Sequence, residues 1–221
     1  MTVHDLVAVL PDPDALLARC RAFAVLDAVF QPAYRRHGFS PAWRDGVALA
    51  SMDNGSGDLY AVVFDPAGVF LYGFDHESDA TPWREEPRAH WPGLLEGLPA
   101  ALAHYADEPV FQLDEFFDAT VCAWRETGAS AWGCGPVVFE EGETDGADWL
   151  FGTLANGSAE AYAADAEDYF GRSVDRAAVA AVLGGGPLTR DVVAALNPAA
   201  DYGAPAAEAA AMGYPVAVGR A

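Results

Sequence analysis

At 221 residues the chain is long enough for one large domain or two small ones, and 52% hydrophobic with 12% aromatic content excludes a disordered polypeptide. The formal net charge is −21, from 33 acidic and 12 basic residues, and every basic residue is Arg. Without lysine there is no Schiff-base or pyridoxal site, no phosphate loop of the G-x-x-x-x-G-K-[ST] type and no protein-kinase strand lysine. A surface this acidic repels nucleic acid, keeps the chain soluble, and steers a basic partner over long range.

Residues 1–11 read as a short apolar lead with no basic segment and too short an apolar run for a signal peptide. No apolar run approaches membrane-spanning length. Cys20, Cys122 and Cys134 are too few and scattered for a disulfide framework, and nothing in the sequence pairs them with a histidine. Buried, reduced thiols and a cytoplasmic location are expected.

Asp12 and Pro13 open a helix whose apolar positions Leu16, Leu17, Cys20, Phe23, Ala24 and Phe30 run to about Gln31, where Pro32 stops it. Arg35, Arg36 and His37 form a basic spot suited to the helix C-terminus. Residues 40–46 read as a loop carrying Trp43.

Residues 47–79 are the most locally specified stretch. Strands are expected at 47–52, 58–65 and 69–74, joined by the Asp53–Asn54–Gly55–Ser56–Gly57 loop and an Asp65–Pro66–Ala67–Gly68 turn. Leu59, Ala61 and Val63 share one face of the hairpin, and Tyr60, Val62 and Phe64 the other. Both faces are apolar, which places the hairpin centrally in a sheet covered on both sides.

Residues 81–99 are irregular, with four prolines around Trp83, His90 and Trp91. A short helix is expected at 98–106. Residues 110–117 are ambiguous. Strands follow at 120–125 and 137–140, with Trp132–Gly133–Cys134–Gly135–Pro136 as a bend between them. An acidic loop runs from 140 to 148, and 149–154 fits strand or helix alike. The last third reads as helices: 159–170 capped by Ser158, 174–183 capped by Ser173, 188–196 and 205–212. The fold class is α+β: a mainly antiparallel central sheet with the 58–74 hairpin, helices packed on it, and a helical C-terminal third. One domain over 1–221 is the simplest organisation, with 157–221 as an alternative helical subdomain.

Asp75, His76 and Glu77 end the last hairpin strand. A histidine among carboxylates offers a general base or a metal ligand. Strand alternation, however, points Asp75 and Glu77 one way and His76 the other, and no H-x-x-x-H or C-x-x-C spacing accompanies them. Closing the strand end is the favoured role, and neither metal nor cofactor is expected. Residues 53–58 miss the ligand spacing of a calcium loop. Ser56 lacks the G-x-S-x-G context of a nucleophile.

Asn54–Gly55–Ser56–Gly57–Asp58–Leu59–Tyr60, a strand ending Phe64–Asp65, and a second strand ending Phe74–Asp75–His76–Glu77 together resemble the core hairpin of the SUKH superfamily. That superfamily includes bacterial toxin-immunity proteins and cell-wall regulators. The resemblance covers 54–77 and implies an α+β fold and a non-enzymatic role, binding and blocking a partner protein. A charge of −21 fits an inhibitor of a basic toxin. The expected partner is therefore another protein, with neither nucleic acid nor membrane. Its contact surface is expected at Trp83, His90, Trp91, Glu140, Glu141, Glu143 and Asp145, aromatics anchoring and acids steering. The alternatives are a hydrolase using Asp75, His76 and Glu77, and a structural or assembly role.

Overall fold

A computed structural model describes residues 1–30 and 35–217. At its centre is a six-stranded antiparallel sheet in simple meander order: β1 (His37–Arg44), β2 (Val47–Asp53), β3 (Leu59–Asp65), β4 (Gly68–Phe74), β5 (Val121–Glu126) and β6 (Gly133–Cys134). The β3–β4 hairpin is central, as its two apolar faces require. Its turn is held by Asp65, whose Oδ1 accepts the Ala67 N–H at 2.7 Å. That turn sets a register pairing Val62 with Leu71 and Leu59 with Phe74.

The two faces are covered differently. Tyr60 meets Phe151 on one side (ring centroids 5.0 Å apart), together with α2 (Pro13–Phe30) and α3 (Ala147–Asn156). Residues from Ala22 to Phe30 are buried on every side of α2, because α5 (Arg176–Leu183), α6 (Arg190–Leu196) and α7 (Gly203–Ala211) pack against it as well. On the opposite face Phe70, Tyr72 and Trp124 are covered by the irregular segment between β4 and β5. Its Tyr105, Phe111 and Phe117 pack on Phe70 and Tyr72 at centroid distances of 4.8–6.3 Å. One hydrophobic cluster runs from α1 (Val3–Val9) through the sheet to Tyr214. Among the described residues no helix is long and apolar enough to cross a membrane.

A single charge sits in the heart of α2. Asp27 is fully buried. Its carboxylate accepts the His37 N–H at 2.7 Å and the Tyr162 hydroxyl at 2.7 Å, and lies 3.0 Å from His37 Nδ1. Burial alone would push this carboxyl up. His37, Arg36 and the Tyr162 hydroxyl together outweigh burial and hold it below its usual value.

Several elements differ from the sequence reading. The lead at 1–11 contains helix α1, tied down at its start by Asp5, which accepts the Thr2 N–H, and Asp145, which accepts the Val3 N–H at 2.7 Å. Residues 40–44 are not a loop but the end of β1. The strand accommodates Pro41 because β1 is an edge strand and its pairing with β2 breaks between Ser40 and Arg44. The expected helix at 98–106 is a set of turns with one 3-10 turn, Ala103–Tyr105. Residues 137–140 form no strand. The partner of β5 is instead Gly133–Cys134, inside the expected bend. Residues 149–154 are helical, within α3.

The basic spot does not serve the end of α2. Arg36 pairs with Asp165 and Arg35 with Glu208, on α4 (Ala159–Phe170) and α7. Ser158 caps α4 as expected, its Oγ accepting the Ala161 N–H at 3.1 Å. The cap of α5 is Asp175, not Ser173. The expected stop at Gln31 and Pro32 lies outside the described residues.

Candidate functional site

Because Leu59 pairs with Phe74, the residue before β3 and the residues after β4 meet at one end of the hairpin. Asp58 is there, buried, and receives four donors. Its Oδ1 accepts the His76 N–H at 3.2 Å and lies 2.7 Å from His76 Nδ1. Its Oδ2 accepts Asn54 Nδ2 at 2.8 Å and Trp149 Nε1 at 2.8 Å. The preceding loop is folded on its own amides: Asn54 Oδ1 accepts the N–H groups of Ser56 and Asp58, and Asp53 Oδ1 that of Gly55. Gly57, at φ +112°, lies so close to His76 that an added Cβ would stand 3.3 Å from Nδ1.

Burial pushes the Asp58 carboxyl up, but the bonds from His76, Trp149 and Asn54 prevail and hold it below its usual value. The same Asp58 bond raises the His76 imidazole above its usual value. Asp75 is buried beside them and pushed up, by burial first and then by the Asp58 charge. Its Oδ1 accepts the Glu77 N–H at 2.9 Å. The Glu77 side chain is exposed, and its charge adds to the upward push on both Asp75 and His76.

In place of the alternative trio Asp75, His76 and Glu77, the structure brings together Asp58, Asp75 and His76, whose ligand atoms lie within 4.8 Å of one another. Asp75, His76 and Glu77 do not all converge, as expected, although the reason differs: β4 ends at Phe74, and alternation does not extend to residues 75–77. Asp58 was reachable from the hairpin register, since the four-residue turn sets 58 beside 75. A cation does not fit this trio well. The four lone-pair directions of Asp58 already meet four protein donors. What the arrangement does is hold the His76 ring by Nδ1 and leave it exposed with Nε2 unbound among the described residues.

Beside His76, on the sheet face opposite α2, a groove of about 640 Å³ opens. Its floor is Leu59, Tyr72 and Phe74, and its walls carry Trp83, Val110 and Leu113. These last three are 54%, 64% and 55% exposed. Arg88 props the Trp83 wall: it pairs with Asp118 at 2.7 Å, and its guanidinium lies 4.5 Å from the Trp83 ring and 5.0 Å from that of Phe116. After Leu113 the chain reverses through Asp114 and Glu115, both at positive φ (49° and 61°), with Leu113 and Phe116 exchanging backbone hydrogen bonds.

Trp83 opens on this groove, but the other expected contact residues are elsewhere. His90 is packed against Phe116 and Phe117, its Nε2 2.6 Å from the Phe117 carbonyl. Trp91 stacks on Phe139, donates to the Val138 carbonyl at 3.0 Å, and lines a separate depression with Arg84 and Pro136. Glu140 and Glu141 are exposed, and Glu143 turns back to accept the Glu140 N–H. Asp145 is fully buried and corrects the sequence reading: its oxygens cap α1 and α3 through the N–H groups of Val3 and Ala147. Val110 and Leu113, which the sequence reading did not place, carried one signal: apolar side chains in a proline-bearing segment too short to bury them.

The structure also pairs a cysteine with a histidine, which the sequence did not reveal. Cys134 Sγ is 3.4 Å from His4 Nδ1, and His4 Nε2 is 2.9 Å from the Val137 carbonyl. Burial, and then the charge of Asp145, push the Cys134 thiol up, so it stays protonated and donates to His4.

No protein-family model matches the chain, and neither does any curated protein or solved structure.

Proposed function

We propose that this chain is a non-enzymatic, cytoplasmic binding protein that docks a basic protein, as an immunity-type inhibitor of a toxin would. The observation that carries the reading is the group Trp83, Val110 and Leu113, each more than half exposed around one apolar groove. Leaving three large apolar side chains together in water is unfavourable unless a partner covers them. Such a cluster has the makeup of a binding hot spot, an aromatic anchor with aliphatic neighbours. The charge of −21 would accelerate encounter with a basic target and occupy the surface such a target offers to nucleic acid. The resemblance of 54–77 to the SUKH hairpin supports the same role.

The test is affinity capture from the native cell lysate with the wild-type chain and with Leu113→Asp, followed by calorimetry on the purified pair at low and high salt. A basic protein bound by the wild type, weakened by salt and lost on Leu113→Asp, is the expected result. A partner that binds both forms equally would refute the groove as the docking face.

One observation favours a second reading as a hydrolase: Asp58 holds His76 as a carboxylate holds a general base, with Nε2 unbound among the described residues. Among the described residues no hydroxyl or thiol is bonded to His76, so water would have to be the nucleophile. A hydrolytic activity abolished by His76→Gln would establish it.

A further inference from the structure

We infer that the occupant of the groove is a basic amphipathic helix of the partner, its apolar stripe between Trp83, Val110 and Leu113 and its cationic flank on the Asp114–Glu115 turn. This rests on the binding role proposed above and specifies the chemistry recognised.

A helix fits where a strand does not. The floor of the groove belongs to β3 and β4, which are paired on both sides, so their backbone groups are already used and no strand can be added there. A helix satisfies its own backbone and needs only a trough for side chains at i, i+3, i+4 and i+7. The trough is lined mainly by apolar and aromatic side chains, with His76, Gln112 and Asp118 as its other polar members.

The charge of the rim selects a cationic helix. Asp114 and Glu115 stand next to Leu113, are exposed, and form no ion pair among the described residues. Glu77, next to His76, is likewise exposed and unpaired among them. The cation lining this side, Arg88, is already neutralised by Asp118. Among the described residues an approaching helix therefore meets unpaired carboxylates, while the cationic groups here, Arg88 and the His76 ring, are each already held by an aspartate.

The turn itself is built against its own stability. Both central positions need positive φ, where Gly or Asn is at ease and Glu is not. Strain of this kind gathers where a side chain is needed for something other than folding.

The test uses the full chain and two fluorescein-labelled amphipathic peptides, one of leucine and lysine and one of leucine and glutamate, followed by fluorescence anisotropy. The leucine–lysine peptide is expected to bind and the leucine–glutamate peptide not to. Leu113→Asp should abolish binding even though it adds negative charge. The double variant Asp114→Asn/Glu115→Gly should melt higher than wild type yet bind about fivefold more weakly. A gain in stability with a loss in affinity cannot come from damage to the fold.

Equal binding of both peptides would mean charge-blind apolar contact, and leucine–lysine binding unchanged by Leu113→Asp would mean diffuse attraction; either result would overturn the inference. Unchanged affinity in the turn variant would remove the turn as the cation-reading element and overturn it too. If neither peptide binds while the captured partner still depends on Leu113, the helical occupant is wrong and the binding role stands. If the captured partner ignores Leu113, the binding face itself is wrong.

Discussion

Asp58 grips His76 twice with one oxygen: Oδ1 accepts the backbone N–H at 3.2 Å and lies 2.7 Å from ring Nδ1. The ring pKa is therefore raised above its ordinary 6.5, and the carboxyl is held below its ordinary 3.8. The two linkages have opposite signs. The imidazole's contribution to stability is complete below its unfolded pKa and is lost as pH rises through the raised folded value. The carboxylate's is complete above its unfolded pKa and is lost as pH falls through the depressed one. The pair is thus strongest between the two ordinary values. In an NMR titration of wild type and Asp58→Asn, the His76 midpoint should drop in the variant. A midpoint that does not move would show that the bond does not persist in solution.

Asp27 tests a buried charge whose neighbours all depend on it. Asp27→Ala leaves the His37 N–H, His37 Nδ1 and the Tyr162 hydroxyl without an acceptor inside a closed core. The expected loss in urea unfolding is about 3–5 kcal/mol, the scale for breaking a buried ionic network by removing one partner. Tyr162→Phe removes a single bond from the same network and should cost about 1 kcal/mol. Equal costs would mean that the hydroxyl, and not the carboxylate, organises the cluster.

The contrast between Asp58 and Val110 shows which parts of the molecule its sequence specifies locally. The β3–β4 hairpin was legible because the Asp65–Gly68 turn, the β-branched runs and the apolar faces all demand the same register. Helix α4 was legible because Ser158 marks its start and Gly171 its end. By contrast, β1 contains Gly38 and Pro41 and exists because β2 offers it an edge to pair with. Helix α1 depends on Asp145, a cap supplied from 142 positions away. The site divides the same way. Asp75 and His76 were visible as a cluster, and Asp58 joins them through the hairpin register. The groove walls come from 83 and 110–113, segments without periodicity, placed by Phe111 against Tyr72 and by Arg88 against Trp83.

The three cysteines should separate cleanly in alkylation kinetics. Cys20 is buried and its thiol pushed up to about 12; Cys122 is buried and pushed up further, both by desolvation. Cys134 is half-buried, and its thiol is also raised. In native buffer with iodoacetamide, Cys134 is expected to react first but more slowly than a free thiol, with Cys20 and Cys122 protected until unfolding. His4→Ala should leave the Cys134 rate nearly unchanged, because His4 accepts from a protonated thiol. A rate for Cys134 above that of free cysteine, lost in His4→Ala, would reveal an activated thiolate and reopen the enzymatic reading.

Gly73 couples the sheet to the Asp58 cluster through α3. A Cβ added there would stand 2.7 Å from Leu150 Cδ1 and 2.8 Å from Phe151 Cε2, closer than packed carbons can lie. Both neighbours belong to α3, as does Trp149, whose Nε1 reaches Asp58 Oδ2 at 2.8 Å. Gly73→Ala is expected to push α3 away from β4, because the β4 backbone is pinned between β3 and β5. Overpacking of this kind costs about 1–3 kcal/mol in chemical unfolding. The displacement should also lengthen the Trp149–Asp58 bond, so Asp58 would lose one of its four donors and its pKa would climb. Gly73→Ala is therefore expected to lower stability and shift the Asp58 titration upward together, whereas Trp149→Phe should reproduce the titration shift with a smaller loss of stability. If Gly73→Ala destabilises but leaves the Asp58 titration where it was, α3 yields through its side chains alone and the sheet does not position the cluster.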